Sequence, residues 1–400
     1  MVTAVFTPHV VRAEGVYLYT ADGRAIIDGA GGAVVTNIGH GRHEVADAVS
    51  TAMRTLDYVL PVWSTPTRDA LSTRLIRDWL PDGYNFVYFA AGGSEANDSA
   101  IRLARQHHVA TGQPGKWKVI GRDPSFHGVT LATLSAGMHR VRRNGLDPLL
   151  SEWPKVPWND ADALAGVIEA AGPDTVSAFI AEPVIGAAGG ALTANADYWA
   201  QVAEVCHQYN VLMICDEVMT GFGRTGKPWG HSHDPWTPDI IVSAKGLGGG
   251  YVPISLVAAH ARVVDPIHAA GERLMFFTYS GHDSVCAGAT AVLDIIDREG
   301  LVERAATMGS YLRTALDSRI APHARVTEVR GRGLMQGIGL QGATAADVVA
   351  ECLTRDLWVY PAGSGGSTGD AIILAPPLII DEPVIDLIVE RLSDALDALV

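Results

Sequence analysis

Positive charge is in short supply in this chain: 30 Lys and Arg stand against 44 Asp and Glu, for a formal net charge of −14. Nucleic acid and anionic membrane surfaces both reward clustered cations, so neither is expected as a partner. That leaves a small molecule or another protein. Cysteine is scarcer still, and Cys206, Cys215, Cys286 and Cys352 show no CxxC or CxH spacing. No metal site and no disulfide frame is therefore implied, and Cys206 and Cys215, in apolar segments, are expected as core thiols. No apolar run approaches membrane-spanning length, and the opening MVTAVFTPHV has no basic n-region, so the cytoplasm is the expected compartment. The glycine loop at Ala90–Asn97 is neither a Walker loop nor GxGxxG, which leaves ATP and nicotinamide dinucleotides poorly supported.

What is there suits a large core: 48% of the 400 residues are hydrophobic. Two domains are expected, a large one over residues 56–297 and a small one assembled from 1–55 and 298–400. Residues 14 to 40 alternate apolar residues with turn signals, as in small antiparallel hairpins, and Glu44 to Tyr58 has helical spacing. From Asn85 the texture changes. Strands are predicted at Phe86–Phe89, Trp117–Ile120, Val176–Ile180, Val211–Cys215 and Ile240–Ser243, with helices at Ser94–Gln106, Ala161–Ala170 and Tyr198–Tyr209 between them. Such alternation implies an α/β fold with a mainly parallel central sheet covered by helices, plus a smaller α+β domain. A long helical stretch is predicted over Asp294–Arg313, and a flexible loop over Gly363–Gly369.

Three of these strands run into an ionisable residue, Glu182, Asp216 and Lys245, spaced 34 and 29 residues apart. That is about one crossover unit each, so the three side chains can converge on the carboxyl rim of the sheet, where such folds carry their chemistry. Taken singly, Lys245 would snorkel to solvent and each carboxylate would cap a helix. Their arrival in register favours a site. The first strand leads into Ala90-Ala-Gly-Gly-Ser94-Glu-Ala-Asn97, glycines before a helix start that suit a phosphate, although a ligand-free capping box reads the same way. Phe126-His127-Gly128 offers an aromatic face beside an imidazole; core packing is the usual role of such a ring, and a structural hydrogen bond that of the histidine. Phosphate cradle, flat face, carboxylate and lysine are together what pyridoxal phosphate requires.

These motifs resemble the class III aminotransferases of fold type I, with the pattern nearest the ω-transaminases of amine:pyruvate type. The likeness runs over nearly the whole chain, through Gly39-His-Gly41, Gly93-Ser-Glu-Ala-Asn97, Phe126-His-Gly128, Glu182-Pro-Val184, Asp216-Glu-Val218, Ser243-Ala-Lys-Gly246, Phe277-Thr-Tyr-Ser-Gly-His282 and Ala375-Pro-Pro-Leu378. It implies that Lys245 is the Schiff-base lysine and proton carrier, and that Asp216 faces the pyridine nitrogen. Phe126 and Val218 would flank the ring, Gly93 and Ser94 would hold the phosphate, and His127 and Glu182 would lie near the cofactor. Thr278 would reach the phosphate of a neighbouring subunit in a homodimer or a dimer of dimers with shared sites. Tyr17 or Tyr19, Trp63 and Tyr360 would line the substrate pocket or its entrance.

The departures bear on substrate. Members that resemble ornithine and 4-aminobutyrate aminotransferases place an arginine where this chain has Ile373, a glutamate where it has Ala187, and a glutamine where it has Met219. A movable arginine of several ω-transaminases aligns with Tyr360, so Arg140, Arg142 and Arg143 stand as alternatives for binding an acceptor carboxylate. Asp283 replaces a common proline. The expected reaction carries an amino group from a primary amine or ω-amino acid to pyruvate or 2-oxoglutarate. The rival expectations are a decarboxylase of dialkylglycine type, an aminomutase or a racemase on the same cofactor, or a cofactor-binding protein of assembly or regulation without turnover.

Overall fold

Buried runs and amphipathic helices resolve into one seven-stranded sheet, in the order Tyr84–Ala90, Ser255–His260, Ile240–Ser243, Leu212–Asp216, Val176–Ala181, Lys118–Asp123, Lys155–Pro157. This is a computed structural model, and it describes residues 8–271, 276–363 and 368–399. All strands run parallel except Ser255–His260, which is antiparallel to both neighbours. Val176–Ala181, Leu212–Asp216 and Ile240–Ser243 are buried at every residue, as a parallel sheet with two covered faces requires. The α/β expectation holds.

One covering helix, Gly93–Ala110, turns Ala96, Ala100, Leu103, Ala104 and His107 inward, the 3.6-residue stripe that the sequence shows. It packs over Ile180, Ile214 and Val242. Each fully buried Val, Leu or Ile in such a layer contributes about 1.5–3 kcal/mol relative to exposure.

Register fixes where the chemistry-bearing residues emerge. Ile214 lies opposite Ile180 on one side and Ile240 on the other, and Asp216 lies opposite Val242. Glu182, Asp216 and Lys245 therefore leave the sheet along the same edge, and Gly93 follows the end of the Tyr84–Ala90 strand there.

Both ends of the described chain share a smaller sheet: Val10–Glu14, Tyr17–Thr20 and Ala25–Asp28 pair antiparallel, and Leu357–Trp358 adds parallel to Ala25–Asp28. A third, antiparallel sheet joins Val326–Arg332, Met335–Leu340, Ala371–Leu374 and Tyr360–Ala362.

The predicted helix Asp294–Arg313 needs correction, because two helices cover this stretch, Asp283–Arg298 and Leu301–Arg319. Gly300 separates them with a φ of 58°, a left-handed turn that ends the first helix. The helix expected over Glu44–Tyr58 is His43–Thr55. Of the predicted Gly363–Gly369 loop, residues 364–367 lie outside the described residues. Cys206 and Cys215 are buried thiols, as are Cys286 and Cys352. No helix among the described residues is long and apolar enough to cross a membrane.

Candidate active site

A cavity of about 170 Å³ opens at the carboxyl edge of the sheet, lined by residues from five separate connections: Gly93, Ser94 and Asn97; Phe126, His127 and Gly128; Glu182 and Val184; Asp216, Val218 and Met219; Ala244 and Lys245. Eight residues singled out from the sequence, Gly93, Ser94, Phe126, His127, Glu182, Asp216, Val218 and Lys245, meet there.

Lys245 arrives by an abrupt turn. Its φ is 38°, a left-handed conformation that costs a non-glycine residue about 1–3 kcal/mol and persists only when its surroundings enforce it. The strand before it is locked on both sides, so the turn carries its ammonium into the cavity and not along the sheet. Burial pushes that ammonium down to about 8, against the opposing pull of Asp216 and Glu182. A lysine that titrates this close to neutral pH keeps a usable unprotonated fraction and can act as a base or a nucleophile.

Asp216 is held from three directions. Its Oδ2 accepts from His127 Nδ1 at 2.8 Å and Asn97 Nδ2 at 2.9 Å, and its Oδ1 from Val218 N at 3.0 Å. Asn97 Nδ2 also donates to the His127 carbonyl at 2.8 Å, closing a rigid triangle. Asn97 was not singled out as a site residue; it stands one helical turn beyond Gly93 and Ser94, and that spacing alone puts it on their face. Glu182 receives Phe126 N at 2.8 Å and Gly186 N at 2.9 Å, so its carboxylate fixes the backbone under Phe126. Burial raises the pKa of Glu182, with the charge of Asp216 acting in the same direction.

The phosphate end is built from backbone. Helix Gly93–Ala110 begins at Gly92 with no side-chain cap, so its leading N–H groups are not claimed by a side chain. The capping alternative for Ser94 does not form, since its Oγ accepts from Val129 N at 3.1 Å. At Gly128, φ is 142° and a Cβ would lie 2.5 Å from Ser94 Oγ, so only glycine lets that loop approach the helix start. Buried polar atoms on the cavity side, His127 Nε2 and Asn97 Oδ1, have no protein partner among the described residues. Uncapped N–H groups, a carboxylate at the opposite end, an aromatic wall and a lysine of lowered pKa fit pyridoxal phosphate.

The remaining predicted residues lie elsewhere. Thr278 and Trp63 are exposed, and Tyr17 lines a different depression together with Tyr19 and Ile379. Tyr360 packs against an apolar cluster containing Ala187, Met219, Ile373, Val184 and Met335, which forms one wall beside the cavity. Asp283 acquires a reason: it sits in the first turn of Asp283–Arg298, where an acid suits the helix dipole, and its carboxylate accepts from the Thr67 hydroxyl. Among the described residues the cluster Cys215, Glu217 and His231 has metal-ligand spacing. The oxygens of Glu217 accept from Gly230 N, His231 N, His231 Nδ1 and Thr220 Oγ1, so the group is a structural knot.

The chain as a whole is also similar to known proteins. A sequence model described as "Aminotransferase class-III" matches residues 3–396. The putrescine–pyruvate aminotransferase of Pseudomonas aeruginosa is 32% identical, over 97% of this chain and 90% of that protein. An acetylornithine aminotransferase of Thermosynechococcus vestitus is 34% identical, over 96% and 92%. The ω-transaminase of Pseudomonas jessenii, solved in complex with PMP, superposes with a TM-score of 0.91 at 32% identity, covering 98% of this chain and 93% of its own.

Proposed function

The chain belongs to the class III aminotransferases, a family dependent on pyridoxal phosphate, and from that premise we propose an enzyme that moves the amino group of a primary amine or ω-amino acid onto pyruvate or 2-oxoglutarate. The cycle is ping-pong: the donor leaves as a carbonyl compound before the oxo acid enters and leaves as an amino acid. One observation carries the substrate class. The positions where a clamp for an α-carboxylate would sit are Ile373, Ala187 and Met219, and all three are buried in one apolar cluster. A carboxylate set against that wall would lose its hydration without gaining a partner.

Gly93, Ser94 and the helix start behind them hold the phosphate, Asp216 holds the pyridine nitrogen, and Phe126 and Val218 flank the ring. When bound, pyridoxal phosphate supplies an electron sink for negative charge developing at the donor carbon next to nitrogen. His127 and Asn97 keep Asp216 aimed, and Glu182 keeps Phe126 in place. Lys245 Nζ would take the proton from the donor's Cα, and its lowered pKa suits it to act as a base near neutral pH.

A second copy of the chain completes the site. Exposed Val62 (71%), Trp63 (59%) and Tyr279 (68%) support an apolar contact between subunits, with Thr278 reaching the neighbouring phosphate site and Trp63 at the shared entrance. Tyr360 shapes the apolar wall.

The test is a panel of amine donors given to the enzyme without acceptor. Stoichiometric conversion of the cofactor to its amine form, reversed by pyruvate or 2-oxoglutarate, is expected. Release of carbon dioxide or an isomerised product in its place would replace the proposal with a decarboxylase or mutase.

A further inference from the structure

The short helix Arg140–Arg143 carries three arginines, and the structure separates them. Arg140 Nη2 pairs with Asp123 Oδ2 at 2.7 Å. Arg143 Nη1 donates to the carbonyls of Leu134 at 2.6 Å and Gly137 at 3.0 Å, with Asp147 3.5 Å from its Nη2. The exposed Arg142 has no side-chain hydrogen bond and no ion pair among the described residues; its guanidinium lies over the Phe126 ring, 4.7 Å from the centroid.

Two arginines act on the Lys245 ammonium, Arg142 and Arg224. Arg224 is fully buried and spent on Leu334 O, Pro376 O and Asn37 Oδ1. Arg122, behind Glu182, is likewise spent on backbone carbonyls. The wall of Ala187, Met219 and Ile373 is apolar, and Phe126 packs against that wall while its ring lies under Arg142.

We infer that Arg142 binds the carboxylate of the oxo-acid acceptor, swinging from the Phe126 face to form a bidentate pair while the acceptor's substituent rests on the apolar wall; this rests on the aminotransferase reading above. An exposed cation–π contact is weaker than a charge-assisted, two-point hydrogen bond to a carboxylate, so an arriving acid displaces the ring as partner. The stack holds the guanidinium near the cavity in the interim. A donor without a carboxylate needs nothing from Arg142, which lets one site serve two chemically unlike substrates in alternation.

The experiment compares the wild-type holoenzyme with Arg142→Ala, Arg142→Lys and, as a neighbouring control, Arg140→Ala. Binding of propionate, a carboxylate that cannot react, is measured by calorimetry; the half-reactions with a carboxylate-free amine and with pyruvate are followed by absorbance. Arg142→Ala should weaken propionate binding and raise the pyruvate KM about 10- to 100-fold, with the amine half-reaction within about twofold of wild type. Arg142→Lys should recover part of the loss, and Arg140→Ala should match wild type. Unchanged propionate binding in Arg142→Ala overturns the inference, as does an equal loss in both half-reactions. A wild-type enzyme inert towards every amine would fail the aminotransferase reading instead, and the propionate titration would still decide the role of Arg142.

Discussion

Asp216→Asn separates the structural work of this carboxylate from its chemical work. In the folded protein two oxygens receive three donors, His127 Nδ1, Asn97 Nδ2 and Val218 N. An asparagine offers one oxygen and one NH2. With its oxygen towards His127 and Asn97, the NH2 confronts the Val218 N–H; flipped, it confronts the donor of Asn97. Either way one buried N–H loses its acceptor, at a cost of about 1–3 kcal/mol in the cofactor-free protein. The cofactor then adds a second loss, because its nitrogen no longer faces an anion, and turnover should fall by at least a further 10- to 100-fold. Thermal unfolding of the cofactor-free proteins reads the first effect, and steady-state turnover at saturating cofactor reads the second. Full activity in a folded Asp216→Asn protein would refute the role assigned to this carboxylate. Equal melting temperatures would refute the donor count.

Lys245 gives a pH prediction. Its ammonium titrates at about 8 when folded but in the ordinary lysine range when unfolded, so the unfolded chain holds that proton over the interval between. Cofactor-free protein should therefore gain stability from this residue as pH rises through about 8, and its capture of the cofactor aldehyde should be half-maximal near that pH; a midpoint near 10 would contradict the burial argument. Gly128→Ala places a Cβ 2.5 Å from Ser94 Oγ and 2.7 Å from Thr133 Oγ1. Destabilisation of about 1–3 kcal/mol is expected together with weaker cofactor retention in gel filtration, and retention equal to wild type would show that the helix start does not hold the phosphate.

The rim of the sheet was legible in sequence because each crossover in such a sheet takes a similar length of chain: Glu182, Asp216 and Lys245 each end an apolar run, and separations of 34 and 29 residues bring those ends to one edge. The loop residues Phe126 and His127 followed from composition in that company. Less came through wherever the outcome depends on partners remote in sequence. Which of Arg140, Arg142 and Arg143 stays unpaired depends on the reach of Asp123 and Asp147, and the sequence shows only three adjacent cations. The break at Gly300 was missed because apolar periodicity continues on both sides, and a single left-handed residue redirects the chain without disturbing that pattern. Thr278 and Trp63 stand outside the cavity of one chain, because the reading that named them requires a second copy.

The central claim is that Lys245 anchors pyridoxal phosphate and moves the proton, and Lys245→Ala tests it most directly. The absorption spectrum of the purified variant with added cofactor, recorded beside multiple-turnover assays with amine and pyruvate, should show no visible band from covalently held cofactor and no turnover, while the protein remains folded. A variant that keeps the band, or that completes more than one turnover per site, would contradict the account.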